Sequence, residues 1–316
     1  MKFVQYLNQI LKEELSSFDN KVVTYGQNVH AGSCLSGLTR DISSIENVVP
    51  SNSQNSENML VGKGFGMMLS GVSSVFFMKQ LDFLLLGIDQ IANTYNIIRQ
   101  HDCEAAFTIF PVTVDSGYEG PQAILNNIES FSSIADVEAF SFTNNIDSSL
   151  IIKNYLLKPG FRILSSGQRL LQSDLLELNL VYKDPDLNFI QYTKGEDTSI
   201  VCFNHSLPYG LELSDAISSQ GLSSSLFSIN THSNFQNKTL LKEIEMSKRV
   251  VLIDDSRGEN NALNRLALNI TRAISGVKII DVVRKQSERL IKPYEDSMKI
   301  DYNSLTKSLF SDNQNK

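Results

Sequence analysis

Apolar and polar positions follow two different periods along the chain. Near the N-terminus, apolar residues recur every three or four positions, which predicts an amphipathic helix over residues 2–16. Elsewhere, short unbroken apolar runs are bounded by polar residues, a pattern typical of strands buried on both faces. The predicted strands are 21–25, 73–78, 107–114, 198–203, 224–229 and 249–254.

Helical patterns separate these strands. The predicted helices are 56–70, with Ser56 as N-cap, a long apolar-faced helix over 81–99, then 207–219, 239–247 and 260–274. Alternation of strand and helix predicts an α/β fold with mainly parallel sheets and helices on both faces. A polar stretch around Pro185 predicts a boundary between two three-layer domains, 1–185 and 186–316.

Charge and apolar length exclude several classes of protein. The chain has 28 basic and 35 acidic residues, a net charge of −7, and no basic cluster. It therefore lacks the electrostatic footprint of a nucleic-acid binder or of a protein that docks on anionic lipid. The most apolar stretch, 59–88, contains Lys63, Lys79 and Asp82, so we expect buried structure there and no membrane contact.

The cysteines indicate the compartment. Cys34, Cys103 and Cys202 are odd in number and far apart, which fits neither a disulfide framework nor a zinc site. Polar residues interrupt the N-terminal helix pattern, so it does not read as a signal peptide. Together these features predict a cytoplasmic protein.

Local motifs do not define a function by themselves. The sequence has no GxxxxGK[ST] or GxGxxG loop, no CxxC and no HExxH. Gly62, Gly66 and Ser70 recur every four residues within a helical pattern, which favours tight helix packing over a phosphate cradle. None of the four histidines pairs with another at metal-ligand spacing. Glu57, taken alone, is typical of a first-turn residue that favours the helix dipole.

The order of the segments, however, resembles a known family. The matching segments are 2–29, 57–90, 117–122 (GYEGPQ), 198–256 and 293–297 (PYEDS). Over nearly its whole length the chain is similar to β subunits of pyruvate dehydrogenase-type 2-oxo acid dehydrogenases and to the C-terminal half of transketolases, which are thiamine diphosphate enzymes. The resemblance implies a pyrimidine-binding domain followed by a transketolase C-terminal-like domain.

The resemblance gives roles to two residues. Glu57 matches the family's glutamate, which hydrogen-bonds the cofactor's aminopyrimidine ring and so promotes removal of the thiazolium proton. Phe83 matches the aromatic residue that stacks on the same ring. The implied cofactors are thiamine diphosphate and Mg²⁺. The family binds the diphosphate and Mg²⁺ through a GDG motif, which this sequence lacks. An α-type partner subunit carrying that motif is therefore implied, in an α₂β₂ assembly.

The chain also departs from the family's pattern. Gln27 and Asn28 stand where acidic residues are usual. Ala123 stands where the family's GPQHS loop has its active-site histidine. We expect His30, Tyr118 and Gln122 to line the substrate pocket, where the first two could compensate for that histidine.

These departures leave several functions open. The resemblance implies a subunit that makes or breaks a carbon–carbon bond next to a carbonyl, by acyl or ketol transfer, in specialised sugar or secondary metabolism. The alternatives are the C-terminal half of a split transketolase, a 2-oxo acid dehydrogenase β subunit, and a non-catalytic scaffold paralogue. Glu57 argues against the scaffold, and the missing histidine argues for it.

Overall fold

The computed structural model describes residues 1–121, 123, 128–232, 238–256, 262–284, 293–295 and 297–311. Its strands are β1 Val22–Gly26, β2 Val48–Asn52, β3 Ser73–Met78, β4 Ala106–Thr113, β5 Gly117–Tyr118, β6 Glu138–Ser141, β7 Gly160–Gly167, β8 Tyr182–Lys183, β9 Phe189–Thr193, β10 Thr198–Phe203, β11 Ser224–Ile229, β12 Arg249–Asp254, β13 Lys278–Val283 and β14 Tyr294–Glu295.

The α-helices are α1 Phe3–Ser17, α2 Glu57–Leu69, α3 Asn96–Ile98, α4 Ile128–Ala135, α5 Asn145–Tyr155, α6 Gln168–Gln172, α7 Leu207–Ser218, α8 Lys238–Ser247, α9 Ala262–Ala273 and α10 Tyr302–Phe310. Short 3₁₀ turns cover Leu35–Gly37 and Ile42–Ser44. Strands and helices therefore alternate through most of the chain, as the hydrophobic pattern predicts.

The first sheet is parallel throughout and has the order β2-β1-β3-β4-β7-β6. Its two faces bury different sets of side chains. Val75 and Phe77 of β3 face one core with α1, α5 and α6, whereas Phe76 and Met78 face a second core with α2 and α4. The first sheet thus forms the middle of three layers, with helices on both sides.

The second sheet is mixed and has the order β13-β12-β10-β11-β9-β8. The four strands β13 to β11 are parallel, and β9 and β8 are antiparallel additions at one edge. Val201 and Phe203 of β10 pack against α8 and α9, while Ile200 and Cys202 pack on the side of α7 and α10. The predicted α/β class with two three-layer, parallel-rich units is confirmed. The domain division at 185/186 stays a prediction.

Hydrogen bonds join the edge strand β6 to the segment that follows β11. Ser141 N–H donates to the Asn230 carbonyl at 2.9 Å, and His232 N–H donates to the Ala139 carbonyl at 2.9 Å. The Asn230 amide also donates back to the Ser141 carbonyl at 3.0 Å. These reciprocal bonds fix one sheet against the other at a buried junction.

Two local expectations are wrong. Residues 81–99 do not form one α-helix, because the chain winds as a 3₁₀ helix over Leu81–Gly87 and as a π-helix over Gln90–Tyr95. The change of winding brings Gly87 against the first turn of α2. The small-residue face of α2 is packed only at Gly62, where a Cβ would lie 3.3 Å from the Gln90 side chain, whereas Gly66 and Ser70 are exposed in the described part of the chain. Gly64, on another face, makes the close contact instead, against the Phe107 ring.

Candidate active-site cleft

Three polar residues follow the carboxyl ends of neighbouring strands of the first sheet. Gln27 follows β1, Lys79 follows β3, and Glu57 begins the helix that follows β2. The carboxyl ends of parallel strands meet at one edge of a sheet, which is where α/β proteins bind their ligands. All three side chains accordingly line one narrow cleft.

The rest of that cleft is mostly apolar. Phe83, in the 3₁₀ helix after β3, lines the same cleft as Glu57, and both side chains are half-buried. Its other lining residues are Gln54, Asn55, Leu60, Phe76, Phe77 and Met78. The structure thus brings together Glu57 and Phe83, which the sequence paired through the family resemblance. The cleft offers one carboxyl group and one ammonium group among aromatic, aliphatic and amide side chains.

Gly26 allows two strands to approach closely next to this cleft. Gly26, the last residue of β1, has φ +145°, and a Cβ there would lie 2.1 Å from the Phe77 carbonyl oxygen. Only glycine therefore lets β1 and β3 approach so closely just before the cleft. The loop that leads to Glu57 is tied to the same point, because Ser53 N–H donates to the Gly26 carbonyl at 2.9 Å.

His30 lies in the loop after β1, and its side chain is hydrogen-bonded to Thr24 of that strand. Its Nε2 lies 2.9 Å from Thr24 Oγ1 and 3.0 Å from the Thr24 carbonyl oxygen. Burial lowers the pKa of His30, an effect opposed by the hydrogen bond to the Thr24 carbonyl. His30 is not among the residues that line the Glu57 cleft.

The loop that resembles the family's GPQHS segment lies further along the same sheet edge. Tyr118 is buried in β5, which pairs with β14, and it lines a separate cleft together with Arg169 and Glu295. Glu119 N–H donates to the Ala123 carbonyl at 3.2 Å, and Ala123 is half-buried. Gln122 lies outside the described residues.

A polar cleft connects these two regions. Its volume is about 340 Å³, and its polar lining residues are Asn28, Ser33, Ser36, Lys79, Gln80, Glu119, Gln168 and Gln172. Lys79 lines this cleft and the Glu57 cleft, while Glu119 lines this cleft and the Tyr118 cleft. The Gln80 amide donates to Glu119 Oε2 at 2.8 Å. A polar groove thus extends from Glu57 towards Tyr118.

Sequence reasoning missed Lys79, Gln80 and Glu119 as cleft residues. The signal that could have found Lys79 is its position directly after a buried strand. In the described part of the chain, no group of three potential metal ligands includes Glu57 or the other residues of its cleft. None of the described helices is long and apolar enough to cross a membrane.

The two-sheet architecture has the fold of a solved transketolase structure. A solved structure described as "Split gene transketolase, inactive beta4 tetramer" is similar to the chain with a TM-score of 0.65 and 12% sequence identity. The match covers 89% of this chain and 88% of that one. At this identity the likeness establishes the fold, and it confirms the resemblance at that level. No family model and no curated protein matches the sequence.

Proposed function

We propose that the chain is the β-type, pyrimidine-binding subunit of a two-chain thiamine diphosphate enzyme. The enzyme makes or breaks a carbon–carbon bond next to a carbonyl, by acyl or ketol transfer. The observation that carries the proposal is the cleft that Glu57 and Phe83 line together. The transketolase-like fold supports it, because the cleft lies at the carboxyl edge of the first sheet.

The residues of the cleft fit the pyrimidine half of the cofactor. A flat heteroaromatic ring suits the aromatic and aliphatic walls formed by Phe83, Phe76 and Leu60. Glu57 would hold a proton shared with a ring nitrogen, and Phe83 would stack on the ring face. When bound, thiamine diphosphate supplies the electron sink for carbanion chemistry, while the protein orients it and excludes water.

The chain does not fit the diphosphate half. Among the residues lining the cleft, Lys79 is the one cation, and the sequence has no GDG motif. We therefore assign the diphosphate and Mg²⁺ to an α-type partner that carries this motif, in an α₂β₂ assembly. Exposed apolar side chains on α2 and on the helical segment 81–98 that packs against it support an interface, among them Met59, Leu69, Leu86 and Ile97. The similar solved structure, a β₄ tetramer, is described as inactive.

The polar groove is the proposed path of the substrate. Lys79 and the amide side chains of Gln80 and Gln168 offer hydrogen bonds to carbonyl, hydroxyl or acid groups. We assign the enzyme to the cytoplasm, because Cys34, Cys103 and Cys202 are free thiols suited to a reducing compartment.

The experiment is the Glu57→Gln variant, reconstituted with a GDG-bearing partner that is first identified by co-purification with the chain from its source. The amide keeps the size of the carboxyl group but cannot share its proton. Turnover should therefore fall by roughly 10²–10⁴-fold while the complex still assembles. The matched control is Glu46→Gln, which removes an exposed carboxyl group in the same domain and should leave turnover unchanged.

Three outcomes separate the possible functions. Near-wild-type turnover in the Glu57→Gln complex would refute the thiamine diphosphate role. Co-purification with a lipoyl acyltransferase would assign the 2-oxo acid dehydrogenase function. A complex that assembles but turns over no keto substrate, with or without the substitution, would favour the scaffold paralogue.

A further inference from the structure

The polar groove between the Glu57 cleft and the Tyr118 cleft is lined mainly by uncharged polar side chains. Six of its lining residues carry an amide or a hydroxyl group: Asn28, Ser33, Ser36, Gln80, Gln168 and Gln172. Its charged lining residues are one lysine and one glutamate, Lys79 and Glu119, whose formal charges cancel. The groove therefore presents a neutral surface of hydrogen-bond donors and acceptors.

Most of these amide and hydroxyl groups are not used by the fold. Of the six, only Gln80 makes a side-chain hydrogen bond within the part of the chain that the structure describes, to Glu119 at 2.8 Å. The other five side chains are exposed or half-buried, so water satisfies them in the free protein. A ligand that replaces this water must offer several hydrogen bonds of its own.

One wall of the groove is a loop that is fixed before any ligand binds. The loop over residues 28–39 supplies the Asn28, Ser33 and Ser36 side chains. Thr39 Oγ1 donates to the Val29 carbonyl at 2.6 Å, which closes the loop on itself. From outside the loop, an amide on α1 donates to the Leu38 carbonyl at 2.9 Å. A wall held in this way loses little conformational freedom on binding.

Apolar side chains lie between the polar groups of the groove. Leu35, Val112 and Leu171 contribute them. A hydroxylated carbon chain matches this alternation, because its C–H groups pack on apolar patches while its O–H groups reach the amides and hydroxyls. The groove has a volume of about 340 Å³, near the lower end of the range for small-molecule sites, roughly 300–1,000 Å³. It therefore suits a small polyhydroxylated molecule.

The charges around the groove do not favour an anion. Phosphate and carboxylate groups are recognised best by the two-pronged guanidinium of arginine. Arg169 lines the neighbouring Tyr118 cleft, but its guanidinium lies 3.6 Å from the buried carboxylates of Asp115 and Asp255. Moving Arg169 to bind an anion would break these buried ion pairs, which is costly. Lys79 attracts an anion, but Glu119 in the same groove repels it.

We propose that the polar groove binds a substrate of one class, an uncharged polyhydroxylated aldehyde or ketone without a phosphate group. The inference rests on the proposed function, because it takes the Glu57 cleft as the place where the carbonyl reacts. Lys79 lines both that cleft and the groove. A carbonyl group at the Glu57 cleft thus leaves the remaining hydroxylated carbons of the substrate to lie in the groove.

The test compares ribose with ribose 5-phosphate, which share a carbon chain and differ in charge. Saturation-transfer NMR titration of the full-length chain, with and without its partner and without thiamine diphosphate, gives both dissociation constants. We expect ribose to bind saturably below about 10 mM. Ribose 5-phosphate should bind no more tightly, whereas a built phosphate site would tighten binding by about tenfold or more.

Two substitutions at Gln168 place the ligand in the groove. Gln168→Leu removes the amide at similar size and should weaken ribose binding by about fivefold. Gln168→Arg adds a cation and should tighten the binding of ribose 5-phosphate by about tenfold or more. The matched controls are Gln100→Leu and Gln100→Arg, which alter an exposed glutamine outside the groove and should bind both sugars as the wild type does.

Three results would overturn the assigned substrate class. They are no saturable binding of ribose below about 10 mM, wild-type binding of ribose 5-phosphate about tenfold or more tighter than that of ribose, and unchanged ribose binding by Gln168→Leu. The comparison of the two sugars needs only wild-type protein, so it decides the question even if a variant fails to fold.

The binding measurements do not depend on turnover, so they separate this inference from the proposed function. Ribose binding together with full turnover in the Glu57→Gln complex would refute the thiamine diphosphate role and support the ligand class of the groove. Loss of turnover in Glu57→Gln without ribose binding would support that role and refute the substrate class.

Discussion

Gly87 packs directly against the main chain of Glu57. A Cβ at Gly87 would lie 2.8 Å from Val61 Cγ2 and 3.3 Å from the Glu57 carbonyl oxygen. The 3₁₀ helix that carries Phe83 therefore fits against the first turn of α2 only because residue 87 has no side chain. The relative positions of the two proposed cofactor residues depend on this contact.

We expect Gly87→Ala to misplace Glu57 relative to Phe83. Overpacking at this contact should destabilise the chain by about 1–3 kcal/mol. A displacement of the proposed catalytic carboxyl can lower turnover by about 10²-fold even when the carboxyl itself is retained. Turnover and urea unfolding of the reconstituted variant measure both effects. Unchanged turnover would show that the contact does not position the proposed site.

Two glycines in α2 should respond in opposite ways to the same substitution. A Cβ at Gly64 would lie 2.2–2.6 Å from the Phe107 ring, whereas a Cβ at Gly66 would meet nothing within 4 Å. Gly64→Ala should therefore destabilise the chain by about 1–3 kcal/mol. Gly66→Ala should stabilise the isolated chain by about 0.5–1 kcal/mol, because alanine favours a helix.

The Gly64→Ala and Gly66→Ala variants also test whether α2 contacts a partner subunit. If the exposed face of α2 contacts a partner, Gly66→Ala should weaken the assembled complex although it stabilises the isolated chain. Sedimentation velocity of the wild type and of both variants, with and without the partner, measures this. Assembly of the Gly66 variant at wild-type strength would exclude a close backbone contact at that face.

Protonation of His232 in the unfolded chain should lower the free energy of unfolding in acid. Burial lowers the pKa of His232 to about 3, and the ring Nε2 lies 3.0 Å from Ser141 Oγ at the junction of the two sheets. Below the ordinary histidine pKa near 6.5, His232 binds a proton in the unfolded chain but not in the folded chain. The contribution of the neutral His232 to the free energy of unfolding is therefore complete above about pH 6.5. It is lost as the pH falls, by about 2–3 kcal/mol at pH 4.5.

Asp147 opposes that trend, so the variant is needed to isolate His232. Burial raises the pKa of Asp147 to about 6, which makes the fold gain stability as the pH falls from about 6 towards 4. Urea unfolding of the wild type and of His232→Gln at pH 7.0, 5.5 and 4.5 gives the difference. We expect the variant's deficit at pH 7.0 to shrink or reverse at pH 4.5. A deficit independent of pH would mean that His232 does not resist protonation in the folded state.

The sequence predicted the buried strands well and the helical winding poorly. The strands 73–78, 198–203, 224–229 and 249–254 have the bounds predicted, because each is a short apolar run buried on both faces. Residues 81–98 depart from the α-helix because Gly87 packs on α2, a tertiary contact that helical periodicity does not encode. The edge strand β2 contains Pro50 and only one fully buried residue, so it lacks a hydrophobic signal.

The candidate site was predictable only as far as the family resemblance extends. Glu57 and Phe83 were matched by that resemblance, and their shared cleft agrees with it. Asp115, His205 and Asp255 are buried side chains with one carboxylate oxygen or ring nitrogen of each within 4.8 Å of the others, although they lie 50 to 140 residues apart in sequence. Each follows a buried strand closely, which is the pattern that could have grouped them. How one sheet packs against the other cannot be deduced from a single sequence.

The isolated chain should bind thiamine diphosphate weakly or not at all. The cleft supplies the pyrimidine side, but the ligands for the diphosphate and Mg²⁺ are absent from the sequence. Calorimetric titration of the purified chain with thiamine diphosphate and Mg²⁺, alone and after addition of the partner, measures the difference. Micromolar binding by the chain alone would contradict this division of the site between two subunits.

The last prediction concerns the position of the missing histidine. Ala123 stands where the resembling family has a proton-handling histidine, and its half-buried methyl group can neither donate nor accept a proton. Substrates that need that histidine should therefore react slowly. Pyruvate, branched 2-oxo acids and xylulose 5-phosphate represent these classes, and the assembled enzyme should turn them over well below the typical kcat of about 10 s⁻¹.

Restoring the side chain tests the cause. Ala123→His should raise turnover on at least one of these substrates, since a general acid or base contributes roughly 10²–10⁴-fold when correctly placed. Ala123→Asn is the matched control, because it adds a polar group of intermediate size that cannot transfer a proton near neutral pH. If the wild-type enzyme already turns over one of the three substrates at about 10 s⁻¹, Ala123 has not redirected the chemistry, and the ordinary family reaction is the better assignment.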